Sequence, residues 1–150
     1  MDIKYLMIKL SCRMTHKSGS DTCERINEHF RKLGMTIGDC CRIYSNIGTS
    51  ESYLITIGDG VTISNDVQLI THDNSIIKVV TDSTDLFGEV IIGDSCFIGA
   101  HSIVLPGVTI GDHCIVGAGS VVSKSIPEGS VAAGNPARVI GKLTDFCERY

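Results

Sequence analysis

The chain has 150 residues, enough for one domain, and its formal net charge of −4 argues against nucleic acid or an anionic membrane as the main partner. Aromatic residues make up 5% of the sequence and Trp is absent, which favours a narrow core of aliphatic and small side chains. No apolar run approaches the roughly 20 residues of a membrane-spanning helix. The first ten residues are interrupted by Lys and do not form a secretory signal, so we expect a cytoplasmic protein.

Residues 1–36 are predicted to form an N-terminal cap that contains one helix. The segment that starts at Asp21 has capping residues and a carboxylate in its first turn, cations in its last turn, and Gly34 at its end. Its apolar residues are predicted to share one face: Ile26, Phe30 and Leu33. A terminal coil of a repeat array needs a cover to stay soluble, and this helix is the candidate. Residues 1–20 contain an apolar patch but no pattern that predicts their fold.

Residues 37–142 repeat with a period of six. In the clearest run, 92–127, the second position is usually Gly and every first position is a β-branched aliphatic residue: Ile92, Ile98, Val104, Ile110, Val116 and Val122. This period fits neither an amphipathic helix nor a simple alternating strand, whereas hexapeptide repeats indicate a parallel β-helix. Three hexads then make one coil of eighteen residues with the aliphatic side chains inward. The sequence therefore predicts an all-β solenoid, with glycine supplying unusual turn conformations.

The repeat is interrupted in two places. Residues 49–56 shift its phase by two, and the 23 residues that separate Leu69 from Ile92 are not a multiple of six. Residues 75–90 are therefore predicted to include an excursion loop, and insertions in repeat arrays often lie on the binding face. The tail, residues 143–150, is predicted to be a short helix.

The seven cysteines predict neither disulfides nor a metal site. Their number is odd, no CxxC motif occurs, and Cys40 is adjacent to Cys41. Cys41, Cys96 and Cys114 fall on fifth positions of hexads, where small buried residues belong. We therefore interpret them as reduced packing residues.

The segments LPGVTIGD, GAGSVV and AAGNPARVI closely resemble the C-terminal half of hexapeptide-repeat acyltransferases. This family includes maltose and galactoside O-acetyltransferases, serine acetyltransferases, xenobiotic and streptogramin acetyltransferases, and polysaccharide O-acetyltransferases. The resemblance implies a left-handed parallel β-helix, a homotrimer, and acetyl-CoA bound between neighbouring subunits. The handedness rests on the resemblance alone, because it runs against the usual crossover rule.

The resemblance also implies a catalytic histidine and residues around the acceptor. His72 stands where the family's TxxHP-like motif carries its general base, and an imidazole suits that task because its ordinary pKa of about 6.5 is close to working pH. Asn46 and Glu51 match acceptor-side positions, and Glu51 is expected to orient His72 across a subunit interface. Asp73 is the weaker orienting candidate, because neighbours on a strand point to opposite faces. His101 is expected to lie beside the cleft.

The remaining histidines predict no zinc site. The γ-class carbonic anhydrases share this fold and carry an HxxxxH pair, which is absent from this sequence. His113 lies in a turn, and His16 and His29 lie outside the repeat. We assign no task to these three residues and expect no metal.

For acetyl-CoA, the resemblance implies contacts along the second half of the repeat. Backbone groups would meet the thioester and the pantetheine arm, and cations would meet the phosphates of the nucleotide. The matching residues are Ala100, Gly117, Ala118, Ser123, Lys124 and Arg138. Relatives have a second Arg where this chain has Gly141, and sugar acetyltransferases often have Trp where it has Phe97. The first departure concerns the contacts with the phosphates of acetyl-CoA, and the second concerns the acceptor.

The sequence favours an acetyl-CoA-dependent O-acetyltransferase that acts on a sugar or polysaccharide precursor. Serine, an antibiotic or an amino sugar remains an alternative acceptor. The short N-terminal region disfavours a serine acetyltransferase, and the short loop disfavours the antibiotic enzymes. A non-catalytic hexapeptide scaffold is the second alternative, but a scaffold has no reason to retain a base and phosphate contacts.

Overall fold

The computed structural model describes residues 2–14, 19–80 and 85–148. Within these ranges the chain visits three sheets in turn, and their strands pair in parallel except for the last strand of the second sheet. The first sheet contains β1 (Thr36–Ile37), β3 (Ile55–Ile57), β8 (Val90–Ile92) and β11 (Thr109–Ile110). The second contains β2 (Arg42–Ile43), β4 (Thr62–Ile63), β9 (Phe97–Ile98), β12 (Ile115–Val116), β14 (Ser130–Gly134) and β15 (Ala137–Lys142). The third contains β5 (Gln68–Leu69), β10 (Ile103–Val104) and β13 (Val121–Val122).

The strand register follows the hexapeptide period. Ile103 pairs with Val121 in the third sheet and Ile91 pairs with Thr109 in the first, eighteen residues apart in both cases. The aliphatic side chain at the first position of each hexad is buried between the sheets. Each such side chain contributes about 2 kcal/mol to stability by leaving water. The predicted parallel strands and their spacing of three hexads are therefore observed.

The cysteines at fifth positions pack in the core as predicted. Cys41, Cys96 and Cys114 are at most 2% exposed, and each thiol donates to a backbone carbonyl of a neighbouring coil. Burial raises the pKa of Cys96 to about 11 and also raises the pKa of Cys114. These thiols are therefore protonated at neutral pH and poorly nucleophilic.

Glycine at the second position has a different reason from the predicted one. At Gly93 a Cβ atom would lie 2.2 Å from Oδ1 of Asp112, which accepts the backbone N–H of Asp94 at 2.8 Å. The glycine is therefore required by close stacking of the coils. The left-handed conformation occurs instead at fourth positions, including Ser95 and His113.

Two helices, rather than the predicted one, precede the sheets. They are α1 (Ile3–Met14) and α2 (Gly19–Lys32). Ile26 and Phe30 of α2 are buried as expected, but Leu33 lies beyond the last helical residue and is 47% exposed. Met35 is buried in its place. The sequence did not predict α1, because its apolar residues do not form one buried face. Four of them face solvent: Ile3, Leu6, Met7 and Leu10.

Helix α2 packs against β1 and β2. Its side chains donate hydrogen bonds to backbone carbonyls in the first coil of the repeat. Arg31 donates to the carbonyls of Ile37 and Gly38, at 2.9 and 2.7 Å. Asn27, which is 1% exposed, donates to the carbonyl of Cys41 at 3.0 Å. Backbone groups that have no further strand to pair with thereby find donors.

The excursion leaves the sheets as an antiparallel pair, β6 (His72–Asp73) and β7 (Leu86–Phe87), with a 3₁₀ turn at Ser75–Lys78. Four residues of the predicted loop, 81–84, lie outside the described part of the chain, as do residues 149–150 of the predicted tail. At the C-terminus β15 folds back antiparallel to β14 and leads into α3 (Leu143–Cys147). None of the helices in the described ranges is long and apolar enough to cross a membrane.

Candidate functional site

The structure brings His72 and Glu51 together within one chain. His72 opens β6, directly after the third sheet, and Glu51 precedes the 3₁₀ turn Ser52–Leu54 that leads into β3. Nδ1 of His72 lies 2.9 Å from Oε2 of Glu51. The Glu51 side chain is 15% exposed and the His72 side chain is 46% exposed. A shielded carboxylate thus holds an imidazole that is open to solvent. The expected contact across a subunit interface is corrected to a contact within the chain.

Two threonine hydroxyls complete the surroundings of the Glu51 carboxylate. Oγ1 of Thr71 and Oγ1 of Thr49 lie 3.0 and 3.1 Å from the same Oε2 atom that contacts His72, and 2.7 Å from each other. Partial burial works to raise the pKa of Glu51, but the hydrogen bonds from His72, Thr71 and Thr49 outweigh it and hold the pKa below its usual value of 4.5. Glu51 is therefore ionised at neutral pH.

Asp73 is turned towards its own loop. Its Oδ1 accepts the backbone N–H of Ser75 at 2.8 Å, and this bond lowers the pKa of Asp73. Because Asp73 is adjacent to His72 on a strand, the two side chains point to opposite faces. Of the two carboxylates considered from the sequence, Glu51 is the one hydrogen-bonded to His72.

Within the described residues, neither Asn46 nor His101 is hydrogen-bonded to His72 or Glu51. Nδ2 of Asn46 is 3.5 Å from the carbonyl of Asp2, and its Oδ1 is buried without a partner in the part of the chain that the structure describes. His101 occupies an exposed turn at φ 59°, with Nδ1 3.9 Å from Asp66. Their acceptor-side roles remain predictions.

The residues expected to meet acetyl-CoA stack along neighbouring coils. The N–H of Gly119, next to Ala118, donates to the carbonyl of Ala100 at 2.8 Å. A Cβ atom on Gly117 would lie 2.9 Å from Cβ of Ala133, so coil packing already accounts for this glycine. Its contact with acetyl-CoA remains a prediction.

The predicted phosphate contacts lie on the surface: Ser123, Lys124 and Arg138. Across the described ranges neither Lys124 nor Arg138 is paired with a carboxylate, and Nη1 of Arg138 donates to the carbonyl of Ala137. Both cations are thus available to an anionic group.

The sequence analysis missed Phe87 and the two threonines. Phe87 faces His72 across the β6–β7 pair, with ring centroids 6.1 Å apart, and is 52% exposed. The spacing of the excursion did not reveal its strand pairing. Thr71 was visible as the residue before His72, and Thr49 as the second residue before Glu51. Only the fold shows that their hydroxyls meet.

The other histidines remain outside this cluster. His29 contacts Asp2 at 2.5 Å, His113 occupies an exposed turn, and His16 lies outside the described residues. Within the described ranges no group of three or more His, Cys, Asp or Glu side chains is arranged to hold a metal ion.

Comparison with known proteins places this arrangement in a family. Residues 89–124 match the family described as the hexapeptide repeat of succinyl-transferase. Protein CapG of Staphylococcus aureus is 45% identical over 124 residues, which cover 79% of this chain and 72% of CapG. Galactoside O-acetyltransferase of Escherichia coli (strain K12) is 38% identical over 106 residues, which cover 70% of this chain and 52% of that protein. The chain thus spans about half the length of the latter.

A solved structure agrees with these sequence matches. A galactoside acetyltransferase in complex with coenzyme A superposes with a TM-score of 0.65 at 26% identity, and the match covers 100% of this chain and 88% of the other. Similarity of sequence and of fold thus point to the same group of enzymes. The chain belongs to the hexapeptide-repeat acyltransferase family.

Proposed function

We propose that this protein transfers an acetyl group from acetyl-CoA to a hydroxyl of a sugar or polysaccharide precursor, with His72 as the general base. The observation that carries this proposal is the 2.9 Å hydrogen bond from His72 to the shielded carboxylate of Glu51, beside an exposed imidazole edge. The names of two relatives support the choice of donor and acceptor: one is a galactoside O-acetyltransferase, and one structure holds coenzyme A.

The hydrogen bonds assign the tautomer of His72. The ionised Glu51 carboxylate only accepts, so Nδ1 of His72 must carry the proton of the bond between them. In the neutral imidazole Nε2 is then unprotonated and has a lone pair. This is the form that a general base requires, and the carboxylate also favours the imidazolium that forms when the base accepts a proton.

The proposed reaction is direct attack in a ternary complex. Acetyl-CoA supplies a thioester carbonyl that is open to attack by a hydroxyl oxygen. Nε2 of His72 takes the proton of the acceptor hydroxyl as the new C–O bond forms, and returns a proton to the sulfur as the C–S bond breaks. The backbone at Ala100 is proposed to lie near the thioester carbonyl, where a donor would stabilise the developing negative charge. No covalent enzyme intermediate is needed.

The donor site is proposed to use the unpaired surface cations. Lys124 and Arg138 would bind the phosphates of the nucleotide, with Ser123 beside them and Gly117 and Ala118 along the pantetheine arm. Their lack of carboxylate partners in the described structure fits this task, since no ion pair must be broken first.

The acceptor side is proposed to be a shallow, partly apolar surface beside His72. The half-exposed ring of Phe87 offers a flat face on which the apolar side of a sugar ring packs, while a hydroxyl of that ring reaches Nε2. Further proposed contacts are His101 and Asn46, whose buried Oδ1 has no hydrogen-bond partner among the described residues. These features favour a sugar over a small, flexible acceptor such as serine.

The assembly is proposed to be a homotrimer of left-handed parallel β-helices, with α1 and α2 as a cap on the first coil. The eighteen-residue register supports the β-helix, and the contacts of α2 with β1 and β2 support the cap. The left hand and the trimer are proposed from the resemblance to the family. Sedimentation equilibrium should give three times the chain mass of 16.1 kDa. A monomer would leave a site between subunits without its second wall and would refute the assembly.

Calorimetry with acetyl-CoA on the wild type and on His72→Ala tests the donor and the base separately. Both proteins should bind acetyl-CoA with similar affinity, while turnover in His72→Ala should fall on the order of 10²–10⁴-fold. A screen of sugars, amino acids and antibiotics for acceptor-dependent release of CoA then identifies the acceptor class. Absence of binding at millimolar acetyl-CoA would favour the scaffold, and full turnover in His72→Ala would exclude His72 as the base.

A further inference from the structure

We propose that Thr71, together with Thr49, is a positioning residue that locks the Glu51 carboxylate and thereby selects the tautomer of His72. The inference rests on the proposed function of His72 as a base. Its structural basis is that three polar atoms converge on one carboxylate oxygen, Oε2 of Glu51: Oγ1 of Thr49 at 3.1 Å, Oγ1 of Thr71 at 3.0 Å and Nδ1 of His72 at 2.9 Å.

Counting protons shows that the two hydroxyls act as a unit. Three short contacts join Thr49, Thr71 and Glu51, but the two hydroxyls carry only two protons. Either both threonines donate to Glu51, or one donates to Glu51 while the other donates to its neighbour. In every arrangement at least one threonine proton points at Oε2. The backbone N–H of Glu51 also donates to Oγ1 of Thr49 at 3.3 Å, which ties this hydroxyl to the same loop.

The position of Thr71 links this carboxylate to the excursion. Thr71 is 1% exposed, and its carbonyl accepts the N–H of Gly88 at 2.9 Å, just beyond the strand that carries Phe87. Its side chain therefore fixes Glu51 while its backbone fixes the second strand of the excursion. Loss of the hydroxyl alone leaves the backbone bond in place, so the two effects are separable by substitution.

The test compares Thr71→Val, which removes the hydroxyl at nearly constant shape, with Thr71→Ser, which retains it. The first readout is the ¹⁵N NMR spectrum of the histidine rings, in which the His72 signals are assigned by their absence in His72→Ala. The wild type and Thr71→Ser should have Nδ1 protonated and Nε2 bare in the neutral ring. In Thr71→Val a population protonated at Nε2 should appear, because a carboxylate without the hydrogen bond of Thr71 can turn away from Nδ1, and Nδ1 then no longer needs to carry the proton.

The second readout is kinetic. Thr71→Val should lower kcat about tenfold, the order of one lost hydrogen bond, with little change in KM for acetyl-CoA. Thr71→Ser should restore kcat. A wild-type His72 spectrum in folded Thr71→Val would overturn the proposal, and so would a fall in kcat without any spectral change, because the loss would not then act through the imidazole.

Thr49→Val provides a second route if Thr71→Val does not fold, since Thr49 is only partly buried. Because the two hydroxyls share protons, the double variant should lose less than the product of the two single losses, and multiplicative losses would contradict the shared network. The NMR readout needs no acceptor. If the protein transfers no acetyl group but the tautomer shifts as expected, the proposed function fails while the positioning role of Thr71 stands.

Discussion

Substitution of Glu51 by Gln is the sharpest test of the His72–Glu51 pair. Gln has the same shape, and its carbonyl oxygen can still accept hydrogen bonds from His72 and Thr71, but it carries no charge. Hydrogen bonds to an ionised group are roughly twice as strong as neutral ones, and the lost difference corresponds to about a tenfold fall in kcat. Gln also has a donor group, which lets His72 adopt the wrong tautomer if the amide turns over.

The structure also predicts the order of effects among variants. His72→Ala removes the proposed base and should lose the most activity, on the order of 10²–10⁴-fold. Glu51→Gln should lose about tenfold in kcat while KM for acetyl-CoA is unchanged, since the carboxylate is hydrogen-bonded to His72, Thr71 and Thr49 and lies apart from the proposed donor contacts. Glu89→Gln is the matched control, because Glu89 is an exposed carboxylate at the end of the excursion and, within the described residues, has no hydrogen bond to His72. It should retain the kcat of the wild type.

The assay should measure the acetylated acceptor by mass spectrometry, because a thiol reagent would also react with the exposed Cys40 and Cys147. Initial rates at saturating acetyl-CoA give kcat for each variant. Wild-type kcat in Glu51→Gln would refute the orienting role of Glu51. A larger loss in Asp73→Asn than in Glu51→Gln would transfer that role to Asp73.

Three further predictions concern the donor site, the core and the response to pH. Lys124→Ala or Arg138→Ala should raise KM for acetyl-CoA more at low salt than at high salt, and an unchanged KM in both would place the donor elsewhere. In a thiol-labelling time course Cys40 should react before Cys96, whose pKa of about 11 and burial protect it; equal rates would contradict the packing. Because the pKa of Glu51 lies below 4.5 in the folded state, its contribution to stability is present above about pH 4.5 and lost as pH falls further. The difference in Tm between wild type and Glu51→Gln should shrink below pH 4.5, and a constant difference would contradict this.

The repeat could be predicted from the sequence because its determinants are local. Within residues 92–127 every first position is β-branched and most fifth positions are small. This pattern can be read without knowledge of distant contacts, and these residues are buried as expected. The reason for glycine at second positions was not accessible in this way. At Gly93 the space is closed by Asp112 of the following coil, and a period alone does not say which atoms stack above it.

The N-terminal helix α1, by contrast, could not be predicted from the local sequence. Tyr5 of α1 is buried against Phe30 of α2, with ring centroids 5.8 Å apart, and its hydroxyl donates to the carbonyl of Tyr44. In α1 the buried Tyr5 is surrounded in sequence by apolar residues that are exposed, so the helix has no clear amphipathic pattern. The tertiary contact, rather than the local pattern, determines how α1 is placed.

The candidate site lies where the repeat fails, and this explains how much of it the sequence could indicate. Ile37 pairs with Ile57, twenty residues on instead of eighteen, and the two extra residues belong to the connection that carries Glu51. Ile57 pairs with Ile92, thirty-five residues on, and that longer insertion carries His72. Regular coils hold their neighbours in register, so both irregular connections emerge above one another and the two side chains meet. A perfect hexapeptide array has no such departure, and the sequence marks the site by its interruptions before any catalytic residue is considered.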